Sequence, residues 1–269
     1  MKKAILYFAV FIVLQLAVPF LINQIYRLIA GTEVPSGAPM LIISMTASSI
    51  AILILFLYMR WAEVSRSYVR SQPWATLIWC ALAAAGAIIP STCLQESMPQ
   101  LPNFAEQELD VILRNRWGYF AVGLLAPVCE EIVFRGAILR ALLRWGCPTT
   151  NDGELAAHCI PGGHWTAIGL SALIFALAHF NPAQMPHALL IGLLLGWLYY
   201  RTDSVVPGVV FHWVNNSIAY IIYNLYPNPS IKLVDILGNQ RTVAAAVIFS
   251  LFILLPALYQ LNLRLRKAS

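Results

Sequence analysis

The sequence predicts an all-α fold, a polytopic transmembrane helical bundle of about eight spans, on three observations. The 269 residues are 59% hydrophobic and only 11% charged, where a water-soluble domain carries roughly 25% charged residues. The mean hydropathy is +0.72. Apolar stretches approaching the ~20 residues that a membrane-crossing helix needs recur along the whole chain. Lipid as the main solvent removes the usual link between length and domain count, so one helical bundle accounts for the chain.

The spans follow in order. Ala4–Ile22 comes directly after Lys2 and Lys3. Its apolar run is longer than a secretory signal's and lacks a small-residue cleavage site, so it is expected to be retained. Met40–Met59 and Trp74–Leu94 follow, and with Ala4–Ile22 and the last span, Thr242–Leu263, they contain no charged residue. Trp117–Leu139 carries Glu130, Glu131 and Arg135. Trp165–Phe180 and Ala183–Tyr200 are short and meet at Asn181-Pro182, which reads as a helical hairpin. Ser204–Leu225 completes the set. The organisation read from this is 1–116 as N-terminal spans and an extracytoplasmic loop, 117–226 as a catalytic core, and 227–269 as a last span with a basic tail.

Eight spans put both termini on one side. Eleven Lys and Arg residues then fall on that side: Lys2, Lys3, Arg60, Arg66, Arg70, Arg140, Arg144, Arg201, Arg264, Arg266 and Lys267. Five fall opposite: Arg27, Arg114, Arg116, Lys232 and Arg241. The positive-inside rule places both termini in the cytoplasm. The expectation is a multi-pass protein of a bacterial inner membrane, with the lipid bilayer as a partner. The net charge of +5 is spread over segment ends rather than gathered in a patch, so no nucleic-acid partner is expected. Trp61, Trp74, Trp117, Trp145, Trp165, Tyr199, Tyr200 and Tyr226 stand at span ends, where amphipathic rings prefer the headgroup level.

The segment Gln95–Arg116 is acidic and reads first as a solvated loop. Phe104, Leu109, Ile112 and Leu113 also allow a short interfacial helix there. The five cysteines, Cys80, Cys93, Cys129, Cys147 and Cys159, form no C-x-x-C and suggest no disulfide framework.

Ionisable groups in mid-membrane cost roughly 2.5–3.5 kcal/mol each on insertion scales, so each needs a reason. They fall on three spans: Glu130, Glu131 and Arg135; then His179, with Phe175 one turn earlier; then His212 and Asn216. Glu131 and Arg135 are four apart and can pair along one helix face. Glu130 points about 100° away and is free to face another helix. His212 and Asn216, again four apart, share a face. A carboxylate, two imidazoles and a carboxamide in a lipid-screened cavity suit amide hydrolysis. Glu130 can take a proton from water, His179 can hold that water, and His212 and Asn216 can donate to an oxyanion. Glu130, His179 and His212 are alternatively a zinc-ligand set with an open position for water.

Other signals are weaker. Cys147, His158, Cys159 and His164 share one loop, but their spacing matches no common zinc pattern. His187 reads as interfacial, Cys129 as a small core residue, and Gly208 as a close-packing or loosening point next to Pro207. No H-E-x-x-H occurs, which argues against a zincin.

Glu130-Glu131-x-x-x-Arg135, Phe175-x-x-x-His179 and His212-x-x-x-Asn216 resemble the three signature motifs of the CPBP family, the Abi-type CaaX-protease and bacteriocin-processing proteins. The resemblance covers Trp117 to Tyr226. It implies an intramembrane endopeptidase acting on a peptide or membrane-associated protein. It also implies Glu130 as the water-activating residue, with Glu131 and Arg135 supporting it. His179, His212 and Asn216 are the other motif positions. Members are often labelled metalloproteases, whereas the similar prenyl-protease is a glutamate-type enzyme, so no obligatory cofactor is expected and zinc stays open. Two other function classes are a non-enzymatic immunity or chaperone factor on the same helices and a proton-coupled transporter. Many such transporters show a repeat with paired broken helices, and none is visible here.

Overall fold

The structure is a computed structural model that describes residues 1–32, 34–35, 37–146, 163–228 and 231–265. Every regular element among these residues is helical. α1 (Lys2–Ala30), α2 (Ala38–Tyr58), the short α3 (Arg66–Arg70), α4 (Trp74–Glu96) and α5 (Glu106–Leu113) come first. The next helix is continuous over residues 119–146 but changes its winding. It is π-helical over Tyr119–Leu125, α-helical over α6 (Ala126–Glu130), π-helical over Glu131–Leu139 and α-helical over α7 (Arg140–Gly146). α8 (Gly163–Leu177), α9 (Met185–Thr202), α10 (Val206–Leu225), the short α11 (Leu233–Leu237) and α12 (Gln240–Arg264) complete the chain.

α1, α2, α4 and α12 are long and apolar enough to cross a membrane. They correspond to the four spans that carry no charge. Their outward faces stay bare, with Leu16 and Leu28 on α1 and Phe249 and Phe252 on α12 all exposed. Apolar faces of this extent are not maintained against water. Lipid is the solvent that tolerates them, and the protein is an integral membrane protein. The motif-bearing helices differ. α8 has 15 residues, about 22 Å at 1.5 Å per residue, which falls short of the ~30 Å hydrocarbon core. The other two motif-bearing helices, the one over 119–146 and the 20-residue α10, are long enough but carry the polar motif residues.

The helix over 119–146 forms the middle of the bundle. All nine residues from Glu131 to Leu139 are buried, and a helix buried all round is a core helix. Phe134 packs edge-on against Phe11 of α1 and Phe175 of α8, each with centroids 5.1 Å apart. α8 and α9 approach through small residues: a Cβ on Gly192 would stand 3.1 Å from Ala172 Cα, and one on Gly196 3.0 Å from Ile168 Cγ2. Gly192 and Gly196 form the small-xxx-small spacing that lets membrane helices pack closely. α4 and α12 meet in the same way, with a Cβ on Gly86 falling 2.7 Å from Leu254 N.

Two expectations need correction. The acidic segment before Arg116 is not simply a solvated loop. Glu106–Leu113 is helical and buries Ile112, because Leu109, Ile112 and Leu113 share a face that the bundle covers. The span expected over Trp165–Phe180 ends as a helix at Leu177. His179 follows in a turn, and Phe180 takes a left-handed backbone with φ 48°. Asn181 then ties the hairpin to the preceding segment. Its Oδ1 accepts from Phe104 N at 3.0 Å and its Nδ2 donates to Asn103 Oδ1 at 2.8 Å.

Candidate active site

Glu130 and Glu131 stand where the winding changes from α to π. π-helical turns inside α-helices occur frequently at functional sites. The two carboxylates have opposite surroundings. Glu131 is fully buried. Its Oε1 accepts from Arg135 Nη1 at 2.8 Å and from His212 Nδ1 at 3.1 Å. A carboxylate only accepts, so His212 carries a proton on Nδ1. His212 Nε2 is thereby turned to Glu130 Oε2, 3.7 Å away, beyond hydrogen-bond range. Glu130 itself keeps 24% of its side chain exposed.

Arg135 holds the arrangement from behind. Its Nη2 donates to Gly192 O at 3.3 Å, and its guanidinium lies 4.3 Å from the centroid of Phe175. A buried ion pair recovers its desolvation cost only with good geometry and further hydrogen bonds; His212, the Gly192 carbonyl and the Phe175 ring supply part of these, while Glu131 Oε2 and Arg135 Nε have no hydrogen-bond partner among the described residues. Gly208 makes room for the buried carboxylate, since a Cβ there would lie 2.6 Å from Glu131 Oε2. Close packing is the use of this glycine.

His179 Nδ1 lies 2.9 Å from Phe175 O. A carbonyl accepts, so Nδ1 donates, and a neutral His179 keeps its Nε2 lone pair for another group. Phe175 meets His179 edge-on at 4.9 Å and His212 at 5.9 Å between centroids. Asn216 donates from Nδ2 to Val122 O at 3.1 Å and accepts from Asn215 Nδ2 at 3.3 Å. One N–H of the Asn216 amide is left for another acceptor.

Glu130, Phe175, His179, His212 and Asn216 line one cavity of about 410 Å³. Glu131 and Arg135 are not part of its lining and lie behind it. Leu109 and Leu113 of α5 face the same space, as do His187 and Asn215. His187 is therefore not simply interfacial, because the turn at Asn181-Pro182 brings the first turns of α9 back over the cavity. The sequence reading also missed Asn215 and Gly192. Asn215 had a signal, standing three residues after His212 on a shared helix face. Gly192 had one in its spacing from Gly196. A larger hollow of about 580 Å³ along α12, lined by Ile248, Phe252 and Leu255 among others, offers no carboxylate or imidazole.

Among the described residues, no group of three or more His, Cys, Asp or Glu side chains is disposed to hold a metal ion. Glu130, His179 and His212 thus do not converge as a zinc-ligand set. Of the loop considered for zinc, Cys147, His158 and Cys159 lie outside the described residues. His164 stacks on Tyr200 with centroids 4.1 Å apart. Cys80, Cys93 and Cys129 are free thiols.

Residues 113–218 match the family model described as type II CAAX prenyl endopeptidase Rce1-like. Over this segment the chain is similar to the Rce1-like proteins of the CPBP family. The matched segment contains all three motifs, from Glu130 to Asn216, and the Rce1-like family that it resembles is a protease family. No curated protein and no solved structure matches the chain.

Proposed function

We propose that the protein is an intramembrane endopeptidase in which Glu130 activates water against a peptide bond. The observation that carries this reading is the unequal treatment of two adjacent carboxylates. Glu131 is locked by Arg135 and His212, while Glu130 faces the cavity without a hydrogen bond to His212. A locked carboxylate builds a site; an accessible one can exchange a proton.

In the reaction, Glu130 takes a proton from a water molecule as its oxygen attacks the substrate carbonyl. His179 Nε2 accepts a hydrogen bond from that water and orients it. The free N–H of Asn216 donates to the developing oxyanion, where preorganised donors act most strongly. His212 can join it from Nε2 when the ring carries both protons. Glu130 then passes its proton to the departing amine as the C–N bond breaks. No step requires a cofactor. The motifs together with 117–226 form the catalytic core, and both termini lie in the cytoplasm of a bacterial inner membrane. The substrate is a peptide or membrane-associated protein. The family's description makes a CaaX-type C-terminus the first to try.

The test compares membrane and secreted proteomes of a deletion host carrying wild-type protein or Glu130→Ala. The expected result is one or more precursors that accumulate uncut with Glu130→Ala at equal expression. Identical proteomes would overturn the reading. So would rescue of the deletion phenotype by Glu130→Ala, the outcome expected of a non-enzymatic factor.

A further inference from the structure

A second cavity of about 280 Å³ adjoins the first. The two share His187, Asn215, Ala219 and Tyr223 as lining. The second cavity continues to α4, where Ile88, Ser91 and Thr92 face it. The shared wall contains an unsatisfied group. Asn215 is 5% exposed, and its Nδ2 donates to Asn216 Oδ1, yet its Oδ1 has no hydrogen-bond partner. Buried side-chain oxygens are normally paired, so an orphan of this kind calls for an explanation.

We infer that the second cavity is a substrate subsite, entered past Asn215, whose Oδ1 accepts a main-chain N–H from the bound peptide. This rests on the protease reading and deepens it. An extended peptide carries one N–H donor per residue, whereas a lipid chain carries none and would leave Asn215 Oδ1 unpaired. His187, in the same wall, faces the passage with a ring that can meet a peptide carbonyl or N–H. Ala219 contributes only a methyl group where the two spaces meet. The peptide therefore runs from Glu130 across the wall towards α4, and its residues beyond the wall are read by the second cavity.

The test uses the purified full-length protein and an internally quenched peptide ending in Cys-aliphatic-aliphatic-X, with and without a farnesyl group on the cysteine. In a parallel series each backbone amide near the cut is N-methylated in turn. Wild type should lose roughly tenfold in kcat/KM at one N-methyl position, a single hydrogen bond's worth. Asn215→Leu, similar in size but without the acceptor, should show that loss on the parent peptide through KM, with no further loss at that same N-methyl position. This coupling isolates the pair, which a purely structural role of Asn215 does not produce. Ala219→Leu narrows the wall and leaves Asn215 intact. It should impair long peptides and spare those truncated to end before the wall, and it decides the question if Asn215→Leu fails to fold. Losses that add at every N-methyl position, or an Ala219→Leu effect independent of peptide length, would overturn the subsite alone. A wild-type protein that cuts neither these peptides nor peptides spanning the processing sites of precursors found in the proteome comparison would overturn the protease reading, and the subsite with it.

Discussion

At the residue scale, the site depends on what stands behind Glu130. Glu131 Oε1 accepts from both Arg135 and His212, so one buried oxygen fixes a helix turn and an imidazole together. Gly208 is the point where this arrangement is most exposed to substitution. Gly208→Ala puts a methyl group 2.6 Å from Glu131 Oε2. The carboxylate must shift off its donors or α10 must move. Overpacking of this kind costs typically 1–3 kcal/mol. The expected outcome is a stability loss in that range and a fall in kcat of at least roughly tenfold, since His212 loses its anchor. Unfolding and cleavage measured on the same preparation check it. Unchanged kcat in Gly208→Ala would mean that Glu131 does not position His212 for the reaction.

At the element scale, α5 closes one side of the cavity through Leu109 and Leu113. It is held by polar contacts near its C-terminal end. Arg114 bonds Asp110 at 2.8 Å and reaches Pro227 O at 3.1 Å, and Tyr223 donates to Asp110. The Arg114 hydrogen bond, followed by that of Tyr223, holds the Asp110 carboxyl below its usual 3.8. A depressed folded value means that the clasp is present above the unfolded value and lost as pH falls through the folded one. α5 should therefore stay docked at neutral and mildly acidic pH and loosen only in strongly acidic solution. Asp110→Asn should loosen it at pH 7, seen as faster hydrogen exchange across 106–113. Equal exchange in wild type and variant at pH 7 would show that the clasp does not hold α5.

How far this arrangement was legible differs between elements. The long apolar helices stand out because lipid demands an unbroken run of about 20 residues. The Glu131–Arg135 pair was legible because helix geometry alone brings i and i+4 together. His187 was not legible as a cavity residue, because its placement depends on how the 178–184 turn folds α9 back, a tertiary fact. The π winding over Glu131–Leu139 left no composition signal, as the segment is apolar and regular apart from its charges. The helix over 106–113 was legible only as the second reading, because its acidic residues suggest solvent although its apolar face faces the bundle.

At the scale of the whole molecule, long apolar helices at the periphery shield a polar centre. α1, α2, α4 and α12 meet the lipid, and the motif residues sit on helices inside or between them. The Lys and Arg distribution gives the proposed topology, with both termini cytoplasmic. Reporter fusions at residues 1 and 269 should both report the cytoplasmic side. A split result would require an odd number of crossings and would reassign the short hairpin α8–α9.

The central claim is that Glu130 performs the proton transfer of peptide hydrolysis. Its most direct test is steady-state cleavage by purified Glu130→Gln beside wild type, on a substrate recovered from the proteome comparison. The substitution keeps size and hydrogen-bonding capacity and removes the base. General-base catalysis is worth 10²- to 10⁴-fold. The account predicts a fall in kcat of at least roughly a hundredfold with little change in KM and no loss of folded protein. A Glu130→Gln protein that cleaves at the wild-type kcat would contradict it.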